Sequence, residues 1–385
     1  MIKNIFTSIK RLLSYNPLKE IDQINLSVQK QKTILHKYNK KNMNLIERSY
    51  AQYRCQMELL QVHQRILLHL IGCLYICLSL FLLLKQKPKK KQKTDAVISC
   101  DDNILPTILK NNNTTSKMIY KKALLLKDIP LFVKIFLKYP LDSYFLAKII
   151  YKISLYRYNI LTFDNKRFIV TSEYSFTSSV GTYFCHLNNI EHINTMHGEK
   201  YFFIGDSYFQ FDKCYIWEEH YKSLFIKLLA KEDQFVIALP SIFEKLKEEK
   251  EEKSSQNTLT YYLQNETYEE LESIHKVCEQ LNIHFTVFIR PHPIYSDINA
   301  IKKLFPLKMI QTNKTDIYTS IQQTHYVVSK FSTVLYIASL LEKSIILDDI
   351  SVDIQFYNNL KKLDYIIMEK KHTYLSKFLQ SLDNG

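Results

Sequence analysis

The residues best suited to chemistry sit in short loops that end apolar runs. Arg290, Pro291, His292 and Pro293 follow the β-branched, aromatic stretch at 285–289. That stretch reads as a covered strand, and it stops where two prolines withdraw their N–H donors. A guanidinium and an imidazole at the carboxyl end of a parallel strand suit a phosphate, because ligands of open α/β sheets bind at that edge. A merely stiff turn is the alternative. Ser329, Lys330, Phe331, Ser332 and Thr333 lie between the strand YVVS and the apolar helix VLYIASLL. Ser or Thr there caps the helix. The same geometry offers backbone N–H groups, two hydroxyls and the Lys330 ammonium to an anion. A third loop, 195–200, follows the strand HINT. Gly198 after His197 lets the backbone approach a ligand closely, or the pair makes an ordinary strand-ending turn. Asp348 and Asp349 close a later strand, where a carboxylate accepts a ribose hydroxyl or completes a turn.

These loops need strands to end on and helices to start. From residue 118 short apolar runs alternate with helical stretches: RFIVTS, HINTMHG and CYIW in the first half. The second half adds LTYYL, FTVFI, LKMIQT, HYVVS and SIILDD. Strands alternating with helices imply βαβ units and a parallel sheet. The expected fold is therefore α/β with two Rossmann-like domains, at 118–243 and 257–350, separated by the charged stretch EKLKEEKEEKSSQ. Residues 351–385 read as a helical segment that packs back on the first domain.

The front of the chain differs in kind. Residues 1–65 are basic and nearly glycine-free, which suggests a helical arm. Residues 66–84, ILLHLIGCLYICLSLFLLL, carry no formal charge and are long enough to cross a bilayer core. They lie too far from the start for a cleavable signal peptide. Six lysines follow between Lys85 and Lys93. By the positive-inside rule the lysine side and everything after it are cytoplasmic, at the inner or plasma membrane; a monotopic anchor is the other reading, and a buried core helix the third. Residues 85–117 read as a polar linker, and the Asn112 and Asn113 sequons would matter only in a secretory lumen.

Composition narrows the chemistry further. The chain of 385 residues holds a core's worth of apolar residues (46%), and its net charge of +14 invites an anionic partner. Much of the excess lies in the first hundred residues, and an acidic run follows at 244–252, which favours membrane and phosphate over nucleic acid. Seven cysteines with no CxxC fit a reducing compartment without a zinc or disulfide framework. No D-x-D, G-x-G-x-x-G, P-loop or H-E-x-x-H occurs, which removes simple dinucleotide, NTPase and zincin readings.

Together, HG after a strand, R-x-H-P at a strand end and a strand–Ser–x–x–Ser/Thr–helix element about forty residues on resemble the GT-B transferases of bacterial surface polymers. That group contains the CDP-glycerol glycerophosphotransferases and capsule-synthesis enzymes; GT-B sialyltransferases and polysialyltransferases share the H-P and Ser/Thr motifs. The resemblance spans roughly residues 165–350. Ser329 stands where the polymerase group has Asp, and Ala338 falls near its second acidic residue. The resemblance implies a membrane-associated, metal-independent enzyme without a cofactor. It would move a sugar or glycerophosphate from a CDP- or CMP-linked donor to a lipid-linked or glycan acceptor of capsule, lipooligosaccharide or teichoic acid. Arg290, His292, Ser332, Thr333 and Lys330 would hold the donor phosphates, and Asp348 the ribose. His197 would act as general base, or stabilise the leaving phosphate, across a cleft, with Gly198 giving close approach; Glu173 is the nearest acid for the sialyltransferase pattern. A non-catalytic, membrane-anchored scaffold on a degenerate GT-B frame is the competing reading, and nucleic-acid binding by the basic arm a third.

Overall fold

The computed structural model of the chain describes residues 18, 21–79, 91–110, 114–248, 257–312 and 314–383. Two compact units divide it. Unit 1 holds the chain through His197 together with Phe202–Ser241; unit 2 holds Gly198–Tyr201 and the chain from Ile242 onward.

Unit 1 is built on a six-stranded parallel sheet. Its strands are β2 (Ala96–Ile98), β3 (Thr115–Lys117), β5 (Arg167–Val170), β6 (Glu191–Thr195), β7 (Lys213–Ile216) and β8 (Phe235–Ile237). They run in the order β3-β2-β5-β6-β7-β8. A separate two-residue pair joins β1 (Gln92–Lys93) to β4 (Phe163–Asp164). The chain goes from β2 outward to β3, then returns to the other side of β2 with β5. The order therefore reverses between β2 and β5, which makes that edge the switch point of unit 1. Short β-branched runs, buried on both faces, suit such a sheet: Phe168, Ile169 and Val170 of β5 are all buried.

This unit corrects the expected domain plan. The supposed linker at 85–117 contributes β2, whose three residues are all buried and pair with β5 from Ala96↔Arg167 to Ile98↔Ile169. The helical arm expected at 1–65 forms helices Val28–Lys37 and Leu45–Glu58, and they pack into the unit. The second starts at a capping box between Asn44 and Glu47. Its buried glutamines then satisfy loop carbonyls: Gln52 Nε2 donates to Glu173 and Gly205, both at 2.9 Å. Gln56 Nε2 likewise donates to Tyr174 at 2.9 Å and Gly205 at 2.8 Å. Unpaired, those buried carbonyls would be costly, so these helices are integral. The apolar segment forms the helix Val62–Ser79, one turn earlier than expected; residues 80–84, lysines 85–90 and the Asn112 and Asn113 sequons lie outside the described residues.

Unit 2 carries a five-stranded parallel sheet of β9 (Thr258–Tyr262), β10 (Thr286–Arg290), β11 (Tyr326–Ser329), β12 (Ser344–Leu347) and β13 (Thr373–Tyr374). The order is β10-β9-β11-β12-β13. Its helices obey their local signals. Tyr268–Leu281 starts at a Thr267–Glu270 capping box and buries Leu271, Ile274, Val277, Cys278 and Leu281 on one stripe. The expected strand LKMIQT is instead a 3₁₀ turn, Leu307–Met309, that follows Pro306 and leaves only the bridge Ile289↔Ile310 beside β10. Counting that bridge, the strands follow the Rossmann half-order, and the reversal falls between β9 and β11. The C-terminal segment belongs to this unit, not to the first. β13 pairs with β12, and Leu375 enters the unit 2 core with Phe378, Leu379 and Leu382 packed beside it.

Candidate functional site

In unit 2 the loops after β9, β10 and β11 meet at the switch point, and hydrogen bonds join them. The His292 N–H donates to Ser296 Oγ at 2.8 Å, and Ser296 Oγ donates to the Gln264 carbonyl at 2.8 Å. The Gln264 side chain turns the other way and donates to Ser332 Oγ at 3.1 Å. Ser332 is the N-cap of the helix Thr333–Leu340 and accepts from the Val334 N–H at 3.3 Å. Ser329, at the end of β11, donates to the Tyr262 carbonyl at 2.8 Å, which locks β11 to β9 there. One residue, Gln264, thus spans the two loops singled out by sequence.

His292 has a defined tautomer. Its Nδ1 accepts the backbone N–H groups of Ile294 at 3.1 Å and Tyr295 at 3.2 Å. The proton of the neutral ring therefore sits on Nε2, which becomes a donor. The ring stacks on Tyr295 with centroids 4.5 Å apart. Burial holds its pKa below the ordinary histidine value, so the neutral donor form is favoured. Arg290 is 7% exposed. Among the described residues its Nη1 reaches only the Thr312 carbonyl, at 3.4 Å, and it forms no ion pair, with the charge of Asp316 acting on it from farther away. Burial lowers its pKa, yet a guanidinium stays charged in any protein. A cation this buried and this poorly paired is well suited to an anion.

Two expected phosphate or ribose ligands are otherwise engaged. Lys330 lies 3.1 Å from Glu270 and 3.7 Å from Glu266, and two carboxylates already balance its charge. Burial raises the Glu266 pKa, the cost of placing that acid beside the lysine. Asp348 is fully buried. It accepts from the hydroxyls of Tyr261 and Ser351 and from the N–H groups of Ile350 at 2.9 Å and Ser351 at 3.0 Å. It closes a turn and has no oxygen left for a ribose.

The loop Gly198–Tyr201 packs on the same helix start. Gly198 takes φ +70°, and a Cβ built there would lie 3.7 Å from Thr333 Oγ1. The left-handed backbone, rather than lack of space, is what requires glycine. Tyr201 packs edge-on to Phe331, whose ring lies 5.0 Å from Tyr365. Glu199 Oε2 accepts from the Tyr365 hydroxyl at 3.0 Å, while its Oε1 is buried without a hydrogen-bond partner. Burial pushes this carboxyl well above the usual range, and the Tyr365 bond offsets only part of that. Gln264, Ser296, Glu199 and Tyr365 went unrecognised in the sequence; only Gln264 carried a signal, as the second residue past β9.

In unit 1 His197 is exposed two residues beyond β6. Its N–H points to Glu173 Oε1 at 3.5 Å, and Asn194 Nδ2 donates to Glu173 Oε2 at 3.1 Å. Asn194 Oδ1 also accepts from the Ser172 N–H at 2.8 Å. Glu173 itself is fully buried. It braces the backbone at His197.

No protein-family profile and no curated protein matches the chain. Among solved structures, the wall teichoic acid polymerase TagF soaked with CDPG is similar at 11% identity and a TM-score of 0.46, covering 84% of this chain and 89% of its own. The UDP-GlcNAc 2-epimerase of Methanocaldococcus jannaschii, in complex with UDP-GlcNAc and UDP, is similar at 11% identity and a TM-score of 0.44, over 76% of this chain and 92% of that one. The Rickettsia bellii UDP-N-acetylglucosamine 2-epimerase gives 10% identity and a TM-score of 0.43, over 67% and 79%. The fold assignment rests on the strand orders above.

Proposed function

We propose that this chain is a membrane-associated GT-B-type transferase that uses a nucleotide-activated donor, CDP- or CMP-linked, to build a bacterial surface polymer. The observation that carries the reading is the Gln264 link. It couples an imidazole held as an Nε2–H donor to a capped helix start, with the poorly paired Arg290 guanidinium two residues before that imidazole. Donors of this kind match the oxygens of a diphosphate or monophosphate. The Ser332–Thr333 helix start and His292 would take the donor phosphates, and Arg290 would supply charge. Lys330 and Asp348 have no part in it.

The reaction divides simply. An acceptor hydroxyl attacks the transferred group, and the bond to the nucleotide phosphate breaks. Charge grows on the leaving oxygen, and preorganised N–H and O–H donors stabilise it there. His197 would take the hydroxyl proton as general base. Its exposed ring on a backbone braced by Glu173 supports that role. A thermal-shift screen of CMP, CDP and CDP-linked donors tests the binding half, since a native-state ligand raises the melting temperature by mass action. His197→Ala tests the other half: nearly unchanged donor affinity and a turnover loss of roughly 10²–10⁴-fold are expected. A chain that no cytidine nucleotide stabilises refutes the reading.

A further inference from the structure

In unit 1 the helix Ser143–Thr162 carries two lysines one turn apart, Lys148 and Lys152. Residues four apart share one face of a helix. Lys152 Nζ stands 4.7 Å from the centre of the Tyr156 ring, and Lys148 Nζ stands 5.8 Å from that of Tyr144. The helix Ser178–His186 packs alongside and turns Gly181 toward Lys152. A Cβ built on that glycine would lie 3.7 Å from Lys152 Cε and 3.4 Å from the Tyr156 ring. Neither lysine is sealed off; each keeps part of its surface exposed.

What surrounds them is positive or neutral. No acid occurs in this helix, in Ser178–His186 or in Ile129–Lys138, which also packs on it. The acids at the helix ends are engaged elsewhere. Asp128 accepts from Arg157 Nε at 3.0 Å, Asp142 from the Tyr50 hydroxyl at 2.6 Å, and Asp212 lies 2.6 Å from His186. The wall beside Lys152 is neutral as well. Thr182 Oγ1 donates to the Gln210 carbonyl at 2.7 Å, so it accepts the Nδ1–H of His192 at 2.8 Å. His192 Nε2 then accepts the Tyr156 hydroxyl at 2.7 Å. Burial holds that imidazole well below its ordinary pKa and the Cys185 thiol well above its own. Among the described residues Lys152 forms no ion pair and no hydrogen bond. Burial pushes both amines down to about 8, and the charge of Lys148 adds to the effect on Lys152.

We propose that Lys148 and Lys152 form a binding site for a phosphate dianion, either inorganic phosphate or the phosphate monoester of a small polyol or sugar. The site lies in unit 1 and does not depend on the donor reading of unit 2. Two like charges held close in a poorly solvated place without an acid are costly, and a dianion cancels both. A phosphate monoester carries about two negative charges near neutral pH. Its oxygens take charge-assisted N–H bonds from both ammonium groups, and the Tyr144 and Tyr156 rings offer apolar faces to a short carbon skeleton. A carboxylate or a phosphodiester, with one charge, would leave one ammonium unmatched.

The amines themselves supply the test. Trace acetylation of the full chain with acetic anhydride at a series of alkaline pH values, read by peptide mass analysis, follows the titration of each lysine. Lys148 and Lys152 should titrate ahead of the exposed lysines, and inorganic phosphate or glycerol phosphate should move both upward by about one unit or more. Tighter binding of glycerol phosphate assigns the site to a monoester, and equal binding assigns it to the free ion. Lys152→Met should raise the melting temperature in phosphate-free buffer, because it removes a desolvated charge. In that variant Lys148 should respond only at a phosphate concentration about 10- to 150-fold higher. His292→Asn should leave the response of both lysines unchanged. The labelling of the native chain decides by itself if Lys152→Met fails to fold. Lysine titrations that phosphate does not move overturn the site, and so does a Lys148 response that persists unchanged in Lys152→Met. A response lost in His292→Asn places the anion in unit 2 and overturns it too. Stabilisation by CDP bears on the donor reading alone, so the two readings fail separately.

Discussion

Replacing His292 with asparagine separates the two tasks that its ring performs. The side-chain oxygen of asparagine falls near the place of Nδ1, so it keeps an acceptor for the Ile294 and Tyr295 N–H groups at 3.1 and 3.2 Å. It cannot reproduce the Nε2–H beyond them. Glutamine does the reverse, reaching toward Nε2 and abandoning the turn. A hydrogen bond to a charged phosphate contributes about 1.5–3 kcal/mol, so His292→Asn should weaken donor binding about 10- to 150-fold with little change in melting temperature. His292→Gln should instead lose about 1 kcal/mol of stability and keep much of the affinity. Isothermal titration with CDP and thermal melting of both variants read the two effects. The pH dependence supplies a second check. Burial lowers the imidazole pKa in the folded chain, so as pH falls the unfolded chain takes up the proton first. Stability then declines through the ordinary histidine range and levels off below the folded pKa; His292→Asn removes that portion of the slope. If His292→Asn bound CDP within twofold of the native chain while His292→Gln lost stability, the ring would serve only its turn, and the phosphate argument would fail.

Gln264→Leu removes the bridge between the two loops and should weaken nucleotide binding by about tenfold, measured beside a melting curve that separates loosening of the site from loss of fold. Glu199→Gln should raise the melting temperature at pH 8 while leaving it nearly unchanged near pH 4. The buried carboxyl holds its proton in the folded chain while the unfolded chain releases it, so native stability falls as pH rises above the usual carboxylate range. A chain starting at Met118, the boundary that sequence alone suggests, should fail to fold, because it lacks β2, β3 and the helix that supplies Gln52 and Gln56. A cooperative melt of that fragment would show those elements to be dispensable.

Elements with a local cause were legible in the sequence. The Thr267–Glu270 box and the apolar stripe after it mark a helix by themselves, and β5, β6, β7, β9, β10, β11 and β12 all fall on apolar runs of the sequence. The failures share one property: their causes lie far away in sequence. β2 is three residues long inside a polar stretch and is a strand only because β3 and β5 pair with it. Gln52 and Gln56 look like solvated helix positions until the carbonyls of residues 173, 174 and 205 arrive beside them. LKMIQT has strand composition, yet it follows Pro306 at the sheet edge and makes one bridge.

The same distinction governs the site. Residue type pointed to Arg290, His292, Ser332 and Lys330 alike, because each carries a donor beside a strand end. What separates them is neutralisation. Lys330 meets two carboxylates, Glu266 and Glu270, from the loop and helix that follow β9, and that depends on β9 being the neighbour of β11. Arg290, at the end of β10, meets a carbonyl. Strand order therefore decides which cation is left for a ligand, and strand order is what a single sequence does not express. Gln264 follows from the same fact. It matters because the reversal between β9 and β11 puts the loop after β9 between the other two, where one side chain reaches Ser332 while its own carbonyl holds Ser296. Moving that glutamine by one residue along the chain would break its side-chain contact to Ser332 and leave the Ser296 loop held by a bare carbonyl alone, whereas moving the charge of Lys330 would leave the donor loops as they are.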